Sequence, residues 1–323
     1  MRDAIRSNNP NRILTGIDFS NAAMTAVWRA VRLARACDGQ VELMHVIRPS
    51  EAPVYRVPGW EVDRRRLVAE AHAKLDAIAS RAEARFGVQA RVHVAIGVPH
   101  AEIAARAESI GARLVVIGSH AERAVRDLWV GATAQRLRRL LRGPLLIARN
   151  SSGRRYERAL IAVEFNDASA DAARAAARLL PDASLHFVHV CDPAVGLRLS
   201  RVGASEKAIS EHRNQALLEA SHRLDNFVRT NGLQSRRGSA IVMLGHVARC
   251  IKDAAAQVGA AIVVFGAKGK SRFEANLLGS VSEEFVSGTG HDVLLVRATG
   301  KVRAHRLPDS GPIGASDSAK AVA

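Results

Sequence analysis

Gly266, Gly269, Gly279 and Ser280 follow one another at a spacing suited to gripping an anion. They come directly after the apolar run from Ala261 to Phe265, which reads as a buried strand. Glycines leave the backbone bare, so that its N–H groups can point at a phosphate. A helical pattern begins at Gly279-Ser280, and a helix start there adds unpaired N–H groups and the positive end of a dipole. Strand, glycine turn, loop, glycine and helix together make a phosphate cradle. The same residues also read as two ordinary turns, and spacing alone does not separate the two.

The elements that must position this stretch alternate along the whole chain. In the first half, strands are predicted at 13–17, 41–47, 90–96, 114–117 and 145–148, with helices at 21–36, 61–85, 101–109 and 133–141. Ser20 is a good N-cap for the first helix. In the second half, strands are predicted at 159–163, 184–190, 236–244, 261–265 and 293–296, Gly238 weakening the third of these. Helices are expected at 168–180, about 205–230, and from His246 to near Val258.

The two halves are in register. Asp18 and Glu164 are 146 residues apart, and His45 and His189 are 144 apart. The pairs Gly97 and Gly245, Gly118 and Gly266, and Gly131 and Gly279 are all separated by 148. The drift falls in early loops, where length changes are tolerated. The chain is a duplicated domain. Short apolar strands alternating with helices imply a parallel sheet covered on both faces, and right-handed crossovers make it an open doubly wound fold. Ligands of such sheets sit at the carboxyl ends of strands near the reversal of strand order. Asp18 or Glu164, the His-Val pairs and the glycine loops all fall at such ends.

Composition narrows the classes. The 323 residues suggest about two domains and are 48% hydrophobic but only 4% aromatic, so the cores are built from small and aliphatic side chains. No apolar run reaches the ~18–20 residues of a membrane span. The first twelve residues lack the apolar stretch of a signal peptide. Cys37, Cys191 and Cys250 are scattered and odd in number, which argues against a disulfide framework or a metal cluster and fits a reducing cytoplasm. The net charge of +16 comes mostly from arginines spread along helical stretches. The densest clusters, Arg64 to Arg66 and Arg136 to Arg142, read as solvated helix faces and not as a nucleic-acid site. The tail from 299 to 323 has no apolar period and is expected to be disordered.

With these residues assembled, the chain resembles the universal stress protein (UspA-like) family, as a tandem of two domains over about residues 10–150 and 155–298. Gly266, Gly269, Gly279 and Ser280 match the family's G-x2-G-x9-G-[S/T] signature, and ILTGIDFS, LMHV, FVHV, GVPHAEIA and VVIGSH are similar to its other segments. The resemblance implies two tandem doubly wound, open, parallel five-stranded sheets of the Rossmann-like, adenine nucleotide-binding type. It implies that the second domain binds ATP or a related adenine nucleotide, with or without Mg²⁺. Glu164 would contact the nucleoside, although the family's usual residue there is Asp. The Val190 backbone would lie beside adenine, and Gly266, Gly269, Gly279, Ser280 and the Val281 amide would form the phosphate loop. The first domain keeps Asp18, Val46, Gly118, Gly131 and Thr133 but has Ala121 in place of the second glycine, so it is expected to bind weakly or not at all. The resemblance also implies that the two domains pair through their last strands, 145–148 and 293–296.

Three readings follow. The first is a nucleotide-binding regulator of the stress response. The second is an ATP hydrolase, at most slow, since neither a P-loop lysine motif nor a convincing catalytic base is evident. The third is a nucleotide-independent scaffold whose basic surface meets nucleic acid or anionic membrane. A signalling partner and a homodimer of the whole chain are compatible with all three.

Overall fold

The computed structural model describes residues 11–48, 60–119, 132–149, 155–191, 204–267, 285 and 289–298. The tail expected to be disordered, 299–323, lies outside the described residues.

The first repeat runs β1 (Asn11–Ile17), α1 (Asn21–Ala36), β2 (Gly39–Ile47), α2 (Trp60–Phe86), β3 (Ala90–Ile96), α3 (Pro99–Ser109), β4 (Leu114–Gly118), α4 (Ala132–Leu140) and β5 (Leu145–Ala148). The second runs β6 (Arg158–Ala162), α5 (Asp167–Leu179), β7 (Ser184–Cys191), α6 (Glu206–Thr230), β8 (Arg237–Leu244), α7 (Val247–Val258), β9 (Ile262–Ala267) and β10 (Asp292–Arg297). The helices begin where side chains can take up orphan N–H groups. Ser20 Oγ accepts from the Ala23 amide at 3.2 Å, Asn166 from Ser169 at 2.9 Å and Ser205 from Ala208 at 3.3 Å. Gly259 closes α7 with a left-handed φ of 60°.

The ten strands form a single sheet in the order β3-β2-β1-β4-β5-β10-β9-β6-β7-β8. Within each repeat every pairing is parallel. The two five-stranded halves join where β5 and β10 pair antiparallel, with Val293 opposite Ile147 and Leu295 opposite Leu145. Pairing through the last strands is therefore realised within one chain.

The central strands are buried on both faces, and their residues alternate between two cores. On β4, Leu114 and Val116 face one core while Val115 and Ile117 face the other. The first core packs α1, α2, α5 and α6 and is continuous across the two repeats. Its helices approach the sheet through alanines: Ala26, Ala30 and Ala34 of α1 and Ala172, Ala173 and Ala176 of α5 are fully enclosed. The second core packs α3, α4 and α7.

A charged cluster ties the repeats together inside the first core. Arg29 Nε on α1 lies 2.9 Å from Asp292 Oδ2 at the start of β10, with side chains 3% and 0% exposed. At Nε itself the N–H is not aligned into a hydrogen bond, so the approach of that atom to the carboxylate is a pairing of charges. Tyr156 donates its hydroxyl to the same carboxylate oxygen, and the Arg149 amide donates to the other at 2.6 Å. The Arg29 guanidinium also stacks on the Tyr156 ring, 4.3 Å from its centroid.

Gly238, which weakened the expectation of a strand, proves to be a spacing device. A Cβ there would lie 2.5 Å from the His186 ring, and the Ser239 amide next to it donates to His186 Nδ1 at 2.9 Å. The pairing of β7 with β8 is irregular at this same place, between Leu185 and Phe187.

Candidate functional site

In each repeat the chain runs from the first strand to one side, through α1 or α5, and later returns on the other side, through β4 or β9. The order reverses between β1 and β4 and again between β6 and β9. Register brings the expected residues to these points. Ile17 is opposite His45, so Asp18 follows beside Val46, and Gly118 ends the adjacent β4. Ile161 is opposite Val264 and Ala162 is opposite Val188, so Glu164, Val190 and Gly266 end three neighbouring strands. Thr133 lies in the first turn of α4. Gly131, Gly269, Gly279, Ser280 and Val281 lie outside the described residues, as does Ala121.

Each acid is tied to the residue that caps the following helix. Asp18 Oδ1 accepts from the Ser20 amide at 3.0 Å and from its hydroxyl at 2.6 Å. Glu164 Oε2 accepts from Asn166 Nδ2 at 3.0 Å, and the Glu164 amide donates to Ser169 Oγ at 2.9 Å. Among the described residues, the Glu164 carboxylate has no hydrogen-bond partner beyond Asn166, and the residue is exposed. Its remaining lone pairs suit a ligand hydroxyl.

Gly118 and Gly266 are fixed by packing. A Cβ on Gly118 would lie 2.5 Å from the Ala22 carbonyl, and one on Gly266 would lie 2.3 Å from the Ala168 carbonyl oxygen. The strand ends thus pass directly against the first turns of α1 and α5. This requirement holds whatever is bound beside them.

The sequence reading missed a second repeated feature. Phe19 and Phe165, immediately after the acids, have φ of 62° and 55°. Residues with a Cβ pay roughly 1–2 kcal/mol for this left-handed conformation, and such strain concentrates at functional sites. The turn lays each ring against a histidine, with centroids 4.7 Å apart for Phe19 and His45 and 4.3 Å for Phe165 and His189. Those histidines are tied to the neighbouring strand end: Nδ1 of His45 lies 2.7 Å from the Ile17 carbonyl, and Nδ1 of His189 lies 2.8 Å from that of Val163. A cation from the long helix covers each phenylalanine, Lys74 at 5.3 Å and Arg223 at 4.4 Å from the ring centroid. Burial pushes His189 below its ordinary value and Arg223 adds to this, while the Val163 carbonyl and Glu164 act the other way. The available signal was the 146-residue register of the D-F-S and E-F-N triplets.

The cysteines remain free thiols, and burial is the main cause raising the pKa of each. Among the described residues no group of three His, Cys, Asp or Glu could hold a metal, and no helix is long and apolar enough to cross a membrane.

The fold and its duplicated crevice define a tandem doubly wound α/β protein. The model of the universal stress protein family matches residues 10–149 and again 155–297. One repeat's length is 30% identical over 146 residues to Universal stress protein YxiE of Bacillus subtilis, covering 43% of this chain and 99% of YxiE. Universal stress protein MJ0531 of Methanocaldococcus jannaschii is 26% identical over 141 residues, covering 43% of this chain and 81% of that protein. The crystal structure of a universal stress protein from Archaeoglobus fulgidus covers 90% of this chain and 99% of its own, with a TM-score of 0.66 at 17% identity. A putative universal stress protein from Pseudomonas aeruginosa gives a TM-score of 0.55 at 16% identity, covering 90% and 94%. At these identities the two structures speak for the fold. The chain belongs to the universal stress protein family, with two such domains in one polypeptide.

Proposed function

We propose that this protein is a stress-response regulator that binds ATP or a related adenine nucleotide, mainly in the second repeat. The observation that carries this reading is the unbroken spacing Gly266, Gly269, Gly279, Ser280, which starts at the end of β9 beside Glu164. In this reading the Glu164 carboxylate accepts from ribose hydroxyls, and the Val190 backbone lies along the base. Gly266 brings the end of β9 in against α5. The amides of Gly269, Gly279, Ser280 and Val281 hold the phosphates, and Mg²⁺ bound with them neutralises charge. Asp18, Val46, Gly118, Gly131 and Thr133 make a weaker counterpart, because the Ala121 methyl crowds the approach of a phosphate. The protein's own contribution is binding and orientation; turnover is at most slow.

Calorimetric titration with ATP, with and without Mg²⁺, tests this on the intact chain and on a Gly269→Val, Gly279→Val variant. Micromolar binding at about one site per chain, lost in the variant, supports the reading. Two sites of equal affinity overturn the distinction between the repeats. Absence of binding by folded protein overturns the nucleotide reading.

A further inference from the structure

A cavity of about 410 Å³ lies between the two repeats, within the size range of small-molecule sites. Arg29, Arg32 and Arg35 line it from one side of α1, and Phe86 closes it at the end of α2. Arg155 and Tyr156, ahead of β6, and the segment from Leu179 to Asp182 complete the wall. The cavity is remote from the nucleotide crevice of its own repeat. Asp18 precedes the first residue of α1 whereas Ala36 ends it, a separation on the order of 20 Å along a 16-residue helix.

Its charges are unbalanced. Arg29 is committed to Asp292. Among the described residues, neither Arg32 nor Arg35 makes an ion pair. Arg32 uses one nitrogen on the Trp28 carbonyl at 3.2 Å and lies over the Phe86 ring at 5.4 Å. Arg85 lies over the same ring, also at 5.4 Å. Burial, then Arg29, then Arg85 push the Arg32 guanidinium below its ordinary value. Among the described residues Arg155 pairs with Asp182 alone, at 3.8 Å between two exposed side chains. The carbonyls that end α5 would favour cations here, but Arg236 covers them, donating to Ala177 at 2.6 Å, to Ala183 at 2.5 Å and to Leu180. Crowded guanidiniums beside Leu33, Leu179 and Leu180 thus leave room for an anion with an apolar body.

We propose that this interdomain cavity is a second ligand site, which takes a small phosphorylated molecule with a flat or apolar body. Arg32, Arg35 and Arg155 hold its phosphate through the guanidinium fork. The body lies against Phe86 and the leucines at the end of α5, Leu179 and Leu180. Because both repeats build the walls, occupancy bridges them at a place that no single universal stress domain possesses.

The test titrates the full chain with inorganic pyrophosphate by calorimetry, and with anilinonaphthalene sulfonate, a flat aromatic anion, by fluorescence. Both probes bind the native protein, compete with each other, and weaken as salt rises. Arg32→Ala and Arg35→Ala each weaken both probes about tenfold, the loss of a charge-assisted hydrogen bond, and Arg35→Lys restores part of it. Ala36→Trp, which fills the cavity from an exposed position and leaves the charge unchanged, blocks the dye. The Gly269→Val, Gly279→Val variant binds both probes like the native chain. Dye binding that survives both arginine variants and Ala36→Trp overturns the proposal, as does binding lost only in the glycine variant. Circular-dichroism melts identify variants that remain folded, and Arg35 and Ala36 are both exposed, so at least these two read the site directly.

Discussion

Asp292 Oδ2 lies 2.9 Å from Arg29 Nε, across the boundary between two copies of one fold. The pseudo-equivalent positions carry no such pair: 146 residues after Arg29 stands Ala175, and 148 before Asp292 stands Pro144. Duplication supplied two matching edges, and this cluster makes their junction asymmetric. Removing one member leaves the other charge buried without its compensation, which typically costs about 3–5 kcal/mol. Arg29→Met should lower stability by about that amount in urea unfolding. Adding Asp292→Leu to Arg29→Met should cost less than the sum of the two single changes. Additive losses would show that the two groups are not coupled.

Tyr156 has a narrower role in the same cluster. Burial, then the Asp292 charge, holds its phenol well above the ordinary tyrosine value, so it remains a donor at any physiological pH. Tyr156→Phe keeps the ring beneath Arg29 and deletes only the donated hydrogen bond. The expected loss is about 1–3 kcal/mol, with no new ultraviolet titration of a tyrosinate in the native chain below pH about 10. A destabilisation equal to that of Arg29→Met would mean that the ring stacking was disturbed as well.

Gly266 separates packing from ligand chemistry. A methyl there meets the backbone of Ala168 at 2.3 Å, and backbone cannot yield as a side chain end can. Gly266→Ala should therefore lower thermal stability whether or not nucleotide is present, by about 1–3 kcal/mol as for other overpacked sites. Gly118→Ala should do the same against Ala22. If Gly266→Ala melts like the native protein, β9 and α5 are not held this closely.

The strand runs, the helix cap at Ser20, and the duplication were legible because each is written locally or repeated. Pairing of 145–148 with 293–296 was legible only through resemblance, since nothing within an edge strand names its partner. Arg29 illustrates what stayed hidden. An arginine on a helix reads as solvated, and its burial depends on a carboxylate 263 positions away. Phe19 and Phe165 were hidden differently: left-handed φ is unusual for a side chain of that size, so the triplet gave no local warning. The strand pattern put Glu164, Val190 and Gly266 at the ends of neighbouring strands, whereas the cations Lys74 and Arg223 arrive from long helices whose rotation no pattern fixed.

Histidines give the fold a pH dependence of definite sign. Burial, then Arg158, lowers the His186 value below 6.5, and burial, with help from Arg223, lowers that of His189. In the folded chain both therefore favour the neutral ring. The stability they contribute is complete above the unfolded value of about 6.5 and is lost as pH falls through the lowered folded values. Chemical denaturation should show a falling midpoint from pH 7 to pH 5, within the same window. His186→Gln, whose amide oxygen can accept from Ser239 in place of Nδ1, should flatten part of that fall. A midpoint that does not move over this range would remove both histidines from the account.

Glu164 offers the sharpest test of the crevice. Its Oε2 is engaged by Asn166, and the residue is exposed at a strand end flanked by those that carry Gly266 and Val190. Glu164→Gln preserves the acceptor for Asn166 but removes the charge that strengthens bonds to ligand hydroxyls. A charged acceptor is worth about 1 kcal/mol more than a neutral one, so ATP affinity should fall about fivefold at unchanged stability. Glu164→Asp, which restores the shorter side chain found at Asp18, should bind at least as tightly as the native protein if the extra methylene is a misfit. Calorimetry on the three proteins decides the matter. Equal affinity in all three would detach Glu164 from the ligand and leave it with its backbone role, the amide bond to Ser169 that helps seat the start of α5.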